Sequence, residues 1–289
     1  MRPKPWSELK YLHYDRFRYH AQEVWLSWKE VCAQVQRKVD TRLGRDACLL
    51  DIGCGRFYPY LILFESIGVR ATGIDLEPVL QHTLNPFAIR HDLEKLGRRA
   101  SVYQIVRAFA RNCYHRWVFY RPLATQAGFP LRWRQFYIRR MDATNISFGD
   151  ASFNAVISND TFEHIMDVPK AVAEVRRVLK PGGIAVIGIH LFPSLTGGHE
   201  PELGYHCIRK KLDKPWGHLW NPTWTAPTLL NKWREQDYLR AFKDRFLSVE
   251  RIVVSEFGRE FLSSIVLNKL TNYTVDELLT EKVMYILNR

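Results

Sequence analysis

Asp51, Gly53, Gly55 and Asp75 have the types and the spacing to bind a nucleotide-like cofactor. Asp51 comes just before the turn Gly53-Cys54-Gly55, and Asp75 ends the next apolar segment. Glycine tolerates positive φ angles and lets a ligand approach the bare backbone. A carboxylate at position 75 can accept two hydrogen bonds from a ribose diol. An acid at position 51 suits a cofactor that carries positive charge better than one that carries phosphates.

The spacing of the glycines argues against a dinucleotide cofactor. The dinucleotide fingerprint has a third glycine three residues after the second, where the helix packs closely against the strand. Tyr58 occupies that position here. The sequence therefore disfavours the binding of NAD or FAD.

Histidines in the second half of the chain could accept a proton, because the unperturbed pKa of histidine lies near neutrality. His199 follows two glycines that would let its loop approach a ligand, and it is our first candidate for a general base; His164 is the second. The other candidates are His190, Glu200, His206 and His218. Imidazole and carboxylate groups can also bind a divalent metal. Their spacing matches no compact ligand motif, so the sequence assigns no metal site.

The elements that must position these residues alternate between strand and helix. Residues 47–52 are a short apolar run, typical of a buried strand. Pro59 suits the first turn of a helix, where its missing N–H costs nothing. Further strands are predicted at residues 69–75, 153–160, 184–190, 249–255 and 282–287, and helices at residues 168–179, 228–246 and from the capping box at 274–277. This alternation predicts an α/β fold with a mostly parallel sheet.

Residues 87–140 form a long basic insertion, where one helix and its loops would normally suffice. The segment holds 12 Lys and Arg against two Asp and Glu, so it carries +10 of the chain's net charge of +12. Its apolar residues at helical spacing are Val102, Ile105, Val106, Phe109, Cys113 and Trp117. The pattern fits a helical cap whose apolar stripe joins the core. It also fits a basic amphipathic helix on an anionic membrane or an acidic substrate, with nucleic acid as a less favoured partner.

Taken in order, several segments resemble the class I S-adenosylmethionine-dependent methyltransferases. Leu50-Asp51-Ile52-Gly53-Cys54-Gly55 is similar to their first motif, and Gly73-Ile74-Asp75 to the acid that ends their second strand. Met141-Asp142-Ala143 resembles their adenine-edge loop, and residues 153–160 resemble their fourth strand, followed by Phe162-Glu163-His164-Ile165. The resemblance covers residues 47–190, interrupted by the insertion. It departs at Phe57, where the family has a third glycine.

The resemblance implies a doubly wound, Rossmann-like sheet of seven mostly parallel strands, closed by an antiparallel pair, with S-adenosylmethionine as the cofactor. It implies that Asp75 accepts hydrogen bonds from the ribose, that Asp142 contacts the adenine amino group, and that Asn159 faces the reacting end. The cofactor-binding residues that it implies are Asp51, Gly53, Gly55, Asp75, Leu76, Asp142, Ala143 and Asn159.

The same resemblance implies an N-terminal helical lid, residues 1–46, before a methyltransferase domain, residues 47–289, that contains the insertion. The alternative for the first segment is a helix packed against the edge of the sheet. Val24, Trp28, Val31 and Val35 recur there at roughly helical spacing.

The composition is that of an ordinary globular chain, with 289 residues, 46% of them hydrophobic and 25% charged. The five cysteines show no paired spacing, which favours a reducing compartment. The chain shows no signal peptide, and its apolar runs are of strand length. We therefore expect a cytoplasmic protein, with peripheral contact at an anionic membrane as an alternative.

The function expected from these observations is methyl transfer to an oxygen of a sugar, a glycan or another small hydroxylated acceptor. One alternative is a nucleic-acid methyltransferase that uses the basic insertion. Against it, Asn159-Asp160-Thr161-Phe162 lacks the paired prolines of the enzymes that methylate amino groups of bases. The other alternative is a non-catalytic protein that keeps the cofactor fold for interaction. The intact residues Asp51, Gly53, Gly55 and Asp75 argue against it.

Overall fold

The computed structural model describes residues 6–38, 47–55, 57–76, 86–95, 97, 99–132, 137–200, 212 and 214–289. The chain divides into two compact units, one of residues 1–36 and 41–141 and the other of residues 37–40 and 142–289. Among the described residues, no helix is both long and apolar enough to cross a bilayer.

Seven strands form a mixed sheet. They are β1 (Cys48–Ile52), β2 (Arg70–Asp75), β3 (Tyr137–Arg140), β4 (Phe153–Asn159), β5 (Leu179–His190), β6 (Ser248–Glu256) and β7 (Thr280–Asn288). Their order is β3-β2-β1-β4-β5-β7-β6. The pairs β1–β2, β2–β3 and β4–β5 are parallel, whereas β7 runs antiparallel to β5 and β6. The predicted mostly parallel, seven-stranded sheet with an antiparallel closing pair is confirmed.

The helices of the described ranges precede β1 or lie between consecutive strands in the chain. They are α1 (Trp6–Lys38), α2 (Pro59–Ser66), α3 (Pro86–Lys95), α4 (Val102–His115), α5 (Arg121–Ala127), α6 (Val168–Val178), α7 (Gly217–Trp220), α8 (Glu235–Lys243), α9 (Ser264–Lys269) and α10 (Val275–Leu279). A π-helical turn, Arg116–Tyr120, joins α4 to α5, and a 3-10 turn, Phe162–His164, follows β4. A second 3-10 turn spans Arg259–Phe261.

In the first unit, the second half of α1 packs on α2. Trp28 is buried and meets Phe64 edge to face, with 5.5 Å between ring centroids. The Tyr60 hydroxyl donates a hydrogen bond to Ser27 Oγ at 2.8 Å. Pro59 opens α2, as its sequence position indicated. This half of α1 is therefore tied to the sheet-covering helix by both apolar and polar contacts.

The insertion is helical, but its apolar residues are only partly buried. On α4, Ile105 and Ala108 face the core, whereas 75% of Val102 and 59% of Val106 are exposed. The π-helical turn is buried through Val118, Phe119 and Tyr120. The last four residues of the insertion range form β3. The apolar stripe thus does not join the core along its whole length.

In the second unit, α6 begins as its sequence indicated. Asp167 caps the helix by accepting a hydrogen bond from the Lys170 backbone N–H at 3.2 Å. Residues 180–183, which lie between the predicted helix and the predicted strand, belong to β5. This strand pairs Phe153 with Leu179 and then, after a register shift, Ala155 with Ile184. The missing side chain of Gly183 permits this, because a Cβ there would lie 2.9 Å from the Asn154 carbonyl oxygen.

The helix predicted at residues 228–246 is shorter than expected, since α8 begins only at Glu235. Upstream of it, Asn231 is tied to the turn after β4: its backbone N–H donates to the Glu163 carbonyl at 2.9 Å, and its side-chain amide donates to the Phe162 and Ile165 carbonyls. These tertiary hydrogen bonds hold the segment in a non-helical path. The capping box at Thr274 and Glu277, which opens α10, is confirmed.

Candidate functional site

The first unit places the predicted glycine turn directly after β1. Gly53 and Gly55 both have positive φ, 73° and 66°. The Gly53 and Cys54 backbone N–H groups donate to the Ile74 carbonyl, at 2.8 and 3.2 Å. The Gly55 backbone N–H donates to Asp75 Oδ2 at 2.8 Å. The carboxylate that ends β2 therefore holds the second glycine of the turn.

Asp51 is the buried charge of this turn. It is 2% exposed, and its Oδ2 has no hydrogen-bond partner. Burial, and then the negative charge of Asp75, raise the pKa of Asp51 to about 8. A ligand with positive charge near this carboxyl would supply the interaction that the protein leaves out.

The space beside the turn fits a cofactor. A Cβ built on Gly55 would meet nothing closer than the Gly53 carbonyl oxygen at 4.0 Å. Leu76, the residue after Asp75, is 60% exposed. The orphaned oxygen of Asp51, the open face of Gly55 and the acid at position 75 together fit the positively charged end and the ribose of S-adenosylmethionine.

Residues of the insertion contact the segment just after this turn. The sequence did not predict these contacts. The Tyr120 hydroxyl donates to the Phe57 carbonyl, and the Phe57 ring stacks on Phe119 with 5.2 Å between centroids. Tyr58 occupies the position of the third glycine in the dinucleotide fingerprint. It takes a left-handed conformation with φ 34° and is buried. The only signal in the sequence was the aromatic run that ends at Tyr120.

In the second unit, the predicted adenine-edge loop is a tight turn. Asp142 Oδ1 accepts a hydrogen bond from the Thr144 backbone N–H at 2.8 Å, and the Asp142 carbonyl accepts one from Asn145. The Asp142 side chain is exposed and Ala143 is buried. The contact of these two residues with adenine stays a prediction.

Asn159 ends β4 beside a charged pair. Its side-chain amide donates to Asp160 Oδ2 at 2.7 Å, and Lys282 on β7 forms an ion pair with Asp160 at 2.8 Å. The neighbouring strand leaves room for Asn159, because a Cβ on Gly188 would lie 2.6 Å from its Oδ1. Lys282 was not among the predicted site residues, since its sequence position on the last strand gives no sign of this pairing.

Glu163 and His164 lie in the 3-10 turn just after β4. Glu163 is 2% exposed, and neither of its carboxylate oxygens has a hydrogen-bond partner. Burial, and then the charge of Asp160, hold the pKa of Glu163 well above its usual range; the backbone N–H groups of Glu163 and His190 offset this only in part. His164 Nδ1 lies 2.7 Å from the Leu229 carbonyl oxygen. Because a carbonyl only accepts, Nδ1 of His164 carries a proton, and Nε2 is the acceptor of the ring in its neutral form.

Two further histidines lie beside this turn. The His199 ring is 5.0 Å from that of His164 and 4.8 Å from that of His190, measured between centroids. His190 Nε2 lies 2.8 Å from Thr196 Oγ1, whose hydroxyl donates to Glu281 at 2.7 Å. His190 is therefore the donor to Thr196.

Burial keeps these imidazoles neutral. It lowers the pKa of His190 to about 4 and that of His199 to about 3, and neighbouring histidines lower the pKa of His199 further. The Nε2 of His199 is buried without a partner. A base with so low a pKa accepts a proton weakly near pH 7, which weakens the role predicted for His199 as a general base.

The glycines before His199 allow the loop to pack closely on itself, and their role in bringing His199 near a ligand stays a prediction. A Cβ on Gly197 would lie 2.3 Å from the Leu191 and Phe192 carbonyl oxygens, and one on Gly198 would lie 2.8 Å from the His218 ring. The loop is thus folded tightly on its own backbone. His199 follows with φ 55°, a conformation that few non-glycine residues adopt.

The remaining candidates for a base or a metal ligand lie in different surroundings. His218 donates from Nε2 to the Phe192 carbonyl at 2.9 Å and packs beside Trp224. Glu200 is half-buried, and His206 lies outside the described residues. The tertiary structure does bring together the side chains of Glu163, His164 and His199, whose ligand atoms all lie within 4.8 Å of one another.

The comparisons with known proteins agree with this fold. Residues 120–187 match a family model described as a methyltransferase domain. The matched segment includes β3 and β4 but leaves out the glycine turn after β1. The family supports S-adenosylmethionine as the cofactor.

Two curated relatives match parts of the chain. One is an uncharacterized methyltransferase of Mycobacterium sp. strain KMS, 33% identical over 67 residues, which are 23% of this chain and 27% of that protein. The other is a demethylmenaquinone methyltransferase of Desulfitobacterium hafniense, 33% identical over 94 residues, which are 32% of this chain and 36% of that protein. The chain thus spans about a quarter to a third of the length of these relatives.

Two solved structures overlap more of the chain at lower identity. Haemonchus contortus phosphoethanolamine N-methyltransferase 2, in complex with S-adenosyl-L-methionine, is 14% identical, with 91% of this chain and 52% of that chain covered and a TM-score of 0.48. Bacillus subtilis YcgJ is 15% identical, with 89% and 97% covered and a TM-score of 0.42. The strand order and the matched family together show that the chain has the fold of the class I S-adenosylmethionine-dependent methyltransferases.

Proposed function

We propose that this chain is an S-adenosylmethionine-dependent methyltransferase that methylates a hydroxyl oxygen of a sugar, a glycan or another small acceptor. The observation that carries the proposal is the turn after β1 in the first unit. There a buried carboxyl with an unpartnered oxygen, Asp51, lies beside two glycines of positive φ, and the acid Asp75 holds the second of them.

The cofactor supplies the methyl group, and the protein must hold it and align the acceptor. Asp51, Gly53 and Gly55 receive the methionine end, and Asp75 with Leu76 receives the ribose. Asp142 and Ala143 hold adenine, and Asn159 faces the reacting end. These roles are those implied by the family resemblance, and the open face of Gly55 supports the role of the glycine turn.

For the acceptor, the proposal uses the histidines of the second unit. His164 uses Nδ1 for the Leu229 carbonyl, so its Nε2 is the acceptor of the neutral ring, and the Nε2 of His199 has no partner. Either atom can receive a hydroxyl group as a hydrogen-bond acceptor. One curated relative is a demethylmenaquinone methyltransferase, and the substrate in that name supports a small-molecule acceptor over a macromolecule.

Calorimetric titration of the purified protein with S-adenosylhomocysteine, with NAD as the control, tests the cofactor. Binding of the first compound alone is the expected result, and binding of NAD alone would overturn the proposal. A screen of hydroxylated sugars with a labelled methyl donor then tests the acceptor. In that assay His199→Ala should lower turnover and leave the affinity for S-adenosylhomocysteine unchanged.

We also propose that the insertion brings the protein to an anionic membrane surface. The exposed apolar side chains of Val102, Tyr103 and Val106 on α4 support this, because they lie in a segment with a strong excess of Arg and Lys. Apolar side chains enter the lipid interface and basic ones are attracted to its negative charge. A lipid-linked hydroxylated acceptor would be presented at such a surface.

A further inference from the structure

Glu163, His164 and His199 come from two separate parts of the second unit. The first two lie in the 3-10 turn after β4, and His199 lies in the loop after β5. Their ligand atoms lie within 4.8 Å of one another. A single ion placed among them could contact one oxygen and two nitrogens.

The carboxylate of Glu163 is the first observation that points to a ligand. It is almost fully buried, and both of its oxygens lack a hydrogen-bond partner. A buried carboxylate without hydrogen bonds is costly unless a cation or a proton neutralises it. The fold therefore keeps an acidic group whose burial is offset only in part, by the backbone N–H groups of Glu163 and His190 and by the charge of Lys282.

The two imidazoles are the second observation. His164 donates its Nδ1–H to the Leu229 carbonyl at 2.7 Å, which leaves Nε2 as a lone-pair donor. Histidines that bind metals commonly donate their other ring N–H to a carbonyl in this way, which fixes the ring and its tautomer. The Nε2 of His199 is buried and has no partner in the structure.

The surrounding contacts hold these side chains in place. Asn231 donates to the Phe162 and Ile165 carbonyls on either side of Glu163 and His164, and the Tyr238 hydroxyl donates to Asn231. On the other side, Gly198 packs against His218 and fixes the loop before His199. Such support is what a precise ligand geometry requires.

We propose that Glu163, His164 and His199 bind a divalent transition-metal ion. Two imidazole nitrogens and one carboxylate oxygen suit Zn²⁺, Mn²⁺ and Fe²⁺, whereas Ca²⁺ and Mg²⁺ prefer sites made of oxygen. Three protein ligands leave at least one coordination position open. The sequence spacing gave no sign of the site, because 35 residues separate His164 from His199.

A function for the ion rests on the proposed methyl transfer. The acceptor hydroxyl would occupy the open position, where a bound metal lowers the pKa of an oxygen ligand and its proton passes to solvent. The resulting oxygen anion would form a bond to the methyl carbon of the cofactor as the bond from that carbon to sulfur breaks, and the sulfur would leave as a neutral thioether. His199 would then act as a metal ligand and not as a general base. Its low pKa is compatible with that role, because a ligand must be unprotonated.

Metal binding is tested directly on tag-free full-length protein that has been stripped with a chelator. Calorimetric titration with Zn²⁺ should show one binding site. Co²⁺ bound at the same site should give a visible absorption band that reports nitrogen ligands. Glu163→Gln and His199→Asn should each weaken Zn²⁺ binding at least about tenfold and change the Co²⁺ spectrum. His91→Asn, on exposed α3 of the first unit, should leave both unchanged.

The outcomes separate the two proposals. Absence of a single Zn²⁺ site in the wild type, or equal affinity in Glu163→Gln and His199→Asn, overturns the metal site. Circular dichroism checks that each variant is folded; if Glu163→Gln is not, His199→Asn and the metal-induced rise in the wild-type melting temperature decide the question. Binding of S-adenosylhomocysteine is measured on the same samples. If the wild type binds Zn²⁺ but no S-adenosylhomocysteine, that result counts against the cofactor proposal alone.

Discussion

The Gly55 backbone N–H donates a hydrogen bond to Asp75 Oδ2 at 2.8 Å, which joins the end of β2 to the turn after β1. Two segments about twenty residues apart in the chain are thus held together by the same carboxylate that the family resemblance assigns to the ribose. Asp75 shapes the turn in addition to its proposed contact with the cofactor.

Replacing Asp75 tests this double role. Asp75→Ala should weaken binding of S-adenosylhomocysteine by roughly 1.5–3 kcal/mol, as for loss of a hydrogen bond to a charged group. Calorimetric titration measures the change, with Asp244→Ala at the exposed end of α8 as the matched control. Unchanged affinity in Asp75→Ala would sink the ribose assignment.

The pKa of Asp51 predicts how stability depends on pH. Because this pKa is raised from 3.8 to about 8 in the folded protein, the folded state holds the proton more tightly than the unfolded state does. The stabilisation is fully present below about pH 4 and is lost as the pH rises through 8. Asp51→Asn mimics the protonated form. The melting temperature of this variant minus that of the wild type should therefore increase from pH 5 to pH 8.

Thermal unfolding across that pH range measures the difference. Asp244→Asn, an exposed acid in the other unit, should follow the wild type at every pH. A constant difference between Asp51→Asn and wild type from pH 5 to pH 8 would show that Asp51 does not titrate in this range.

The contact between Gly198 and His218 predicts a steric effect. A Cβ on Gly198 would lie 2.8 Å from Cγ of the His218 ring, and overpacking of this kind costs about 1–3 kcal/mol. Gly198→Ala should therefore lower the free energy of unfolding, and it should weaken Zn²⁺ binding because His199 is displaced. Denaturant unfolding measures the first effect.

Gly149→Ala is the control for this steric effect, because its Cβ would meet only Ser152 Oγ, at 3.7 Å. We expect this variant to unfold at nearly the wild-type denaturant concentration. If both glycine variants lose the same stability, the loss does not come from the His218 contact. The lower entropy of the unfolded chain after Gly→Ala would by itself raise the stability of both variants.

The exposed valines of α4 predict binding to anionic membranes. The double variant Val102→Ser, Val106→Ser should sediment less with vesicles of phosphatidylglycerol and phosphatidylcholine than the wild type does, because it buries less apolar surface in the interface. Ile265→Ser on α9, where Ile265 is 69% exposed, is the matched control. Raising the salt concentration should release the wild type; no sedimentation even at low salt would exclude the membrane.

Local signals in the sequence predicted much of the fold. The glycine turn after β1, Pro59 at the start of α2, the start of α6 at Val168 and the capping box at Thr274 all lie where they were expected. Each depends on contacts within a few residues, so neighbouring residue types were enough to identify them.

Other features were decided by contacts that are distant in sequence. The helix predicted from residue 228 begins only at Glu235, because Asn231 donates to carbonyls of the turn after β4. The apolar stripe of α4 divides into buried and exposed residues according to what packs against it.

The sequence by itself determined the class of the fold and the residues expected to hold the cofactor, because periodicity and turn chemistry are local. Only the tertiary structure decided that Glu163 is buried without a partner and that His199 lies against His164. These relationships depend on where β4 and β5 end in the sheet and on the loop that Gly198 allows to fold back. No spacing along the chain encodes them, since they arise when distant segments share one sheet edge.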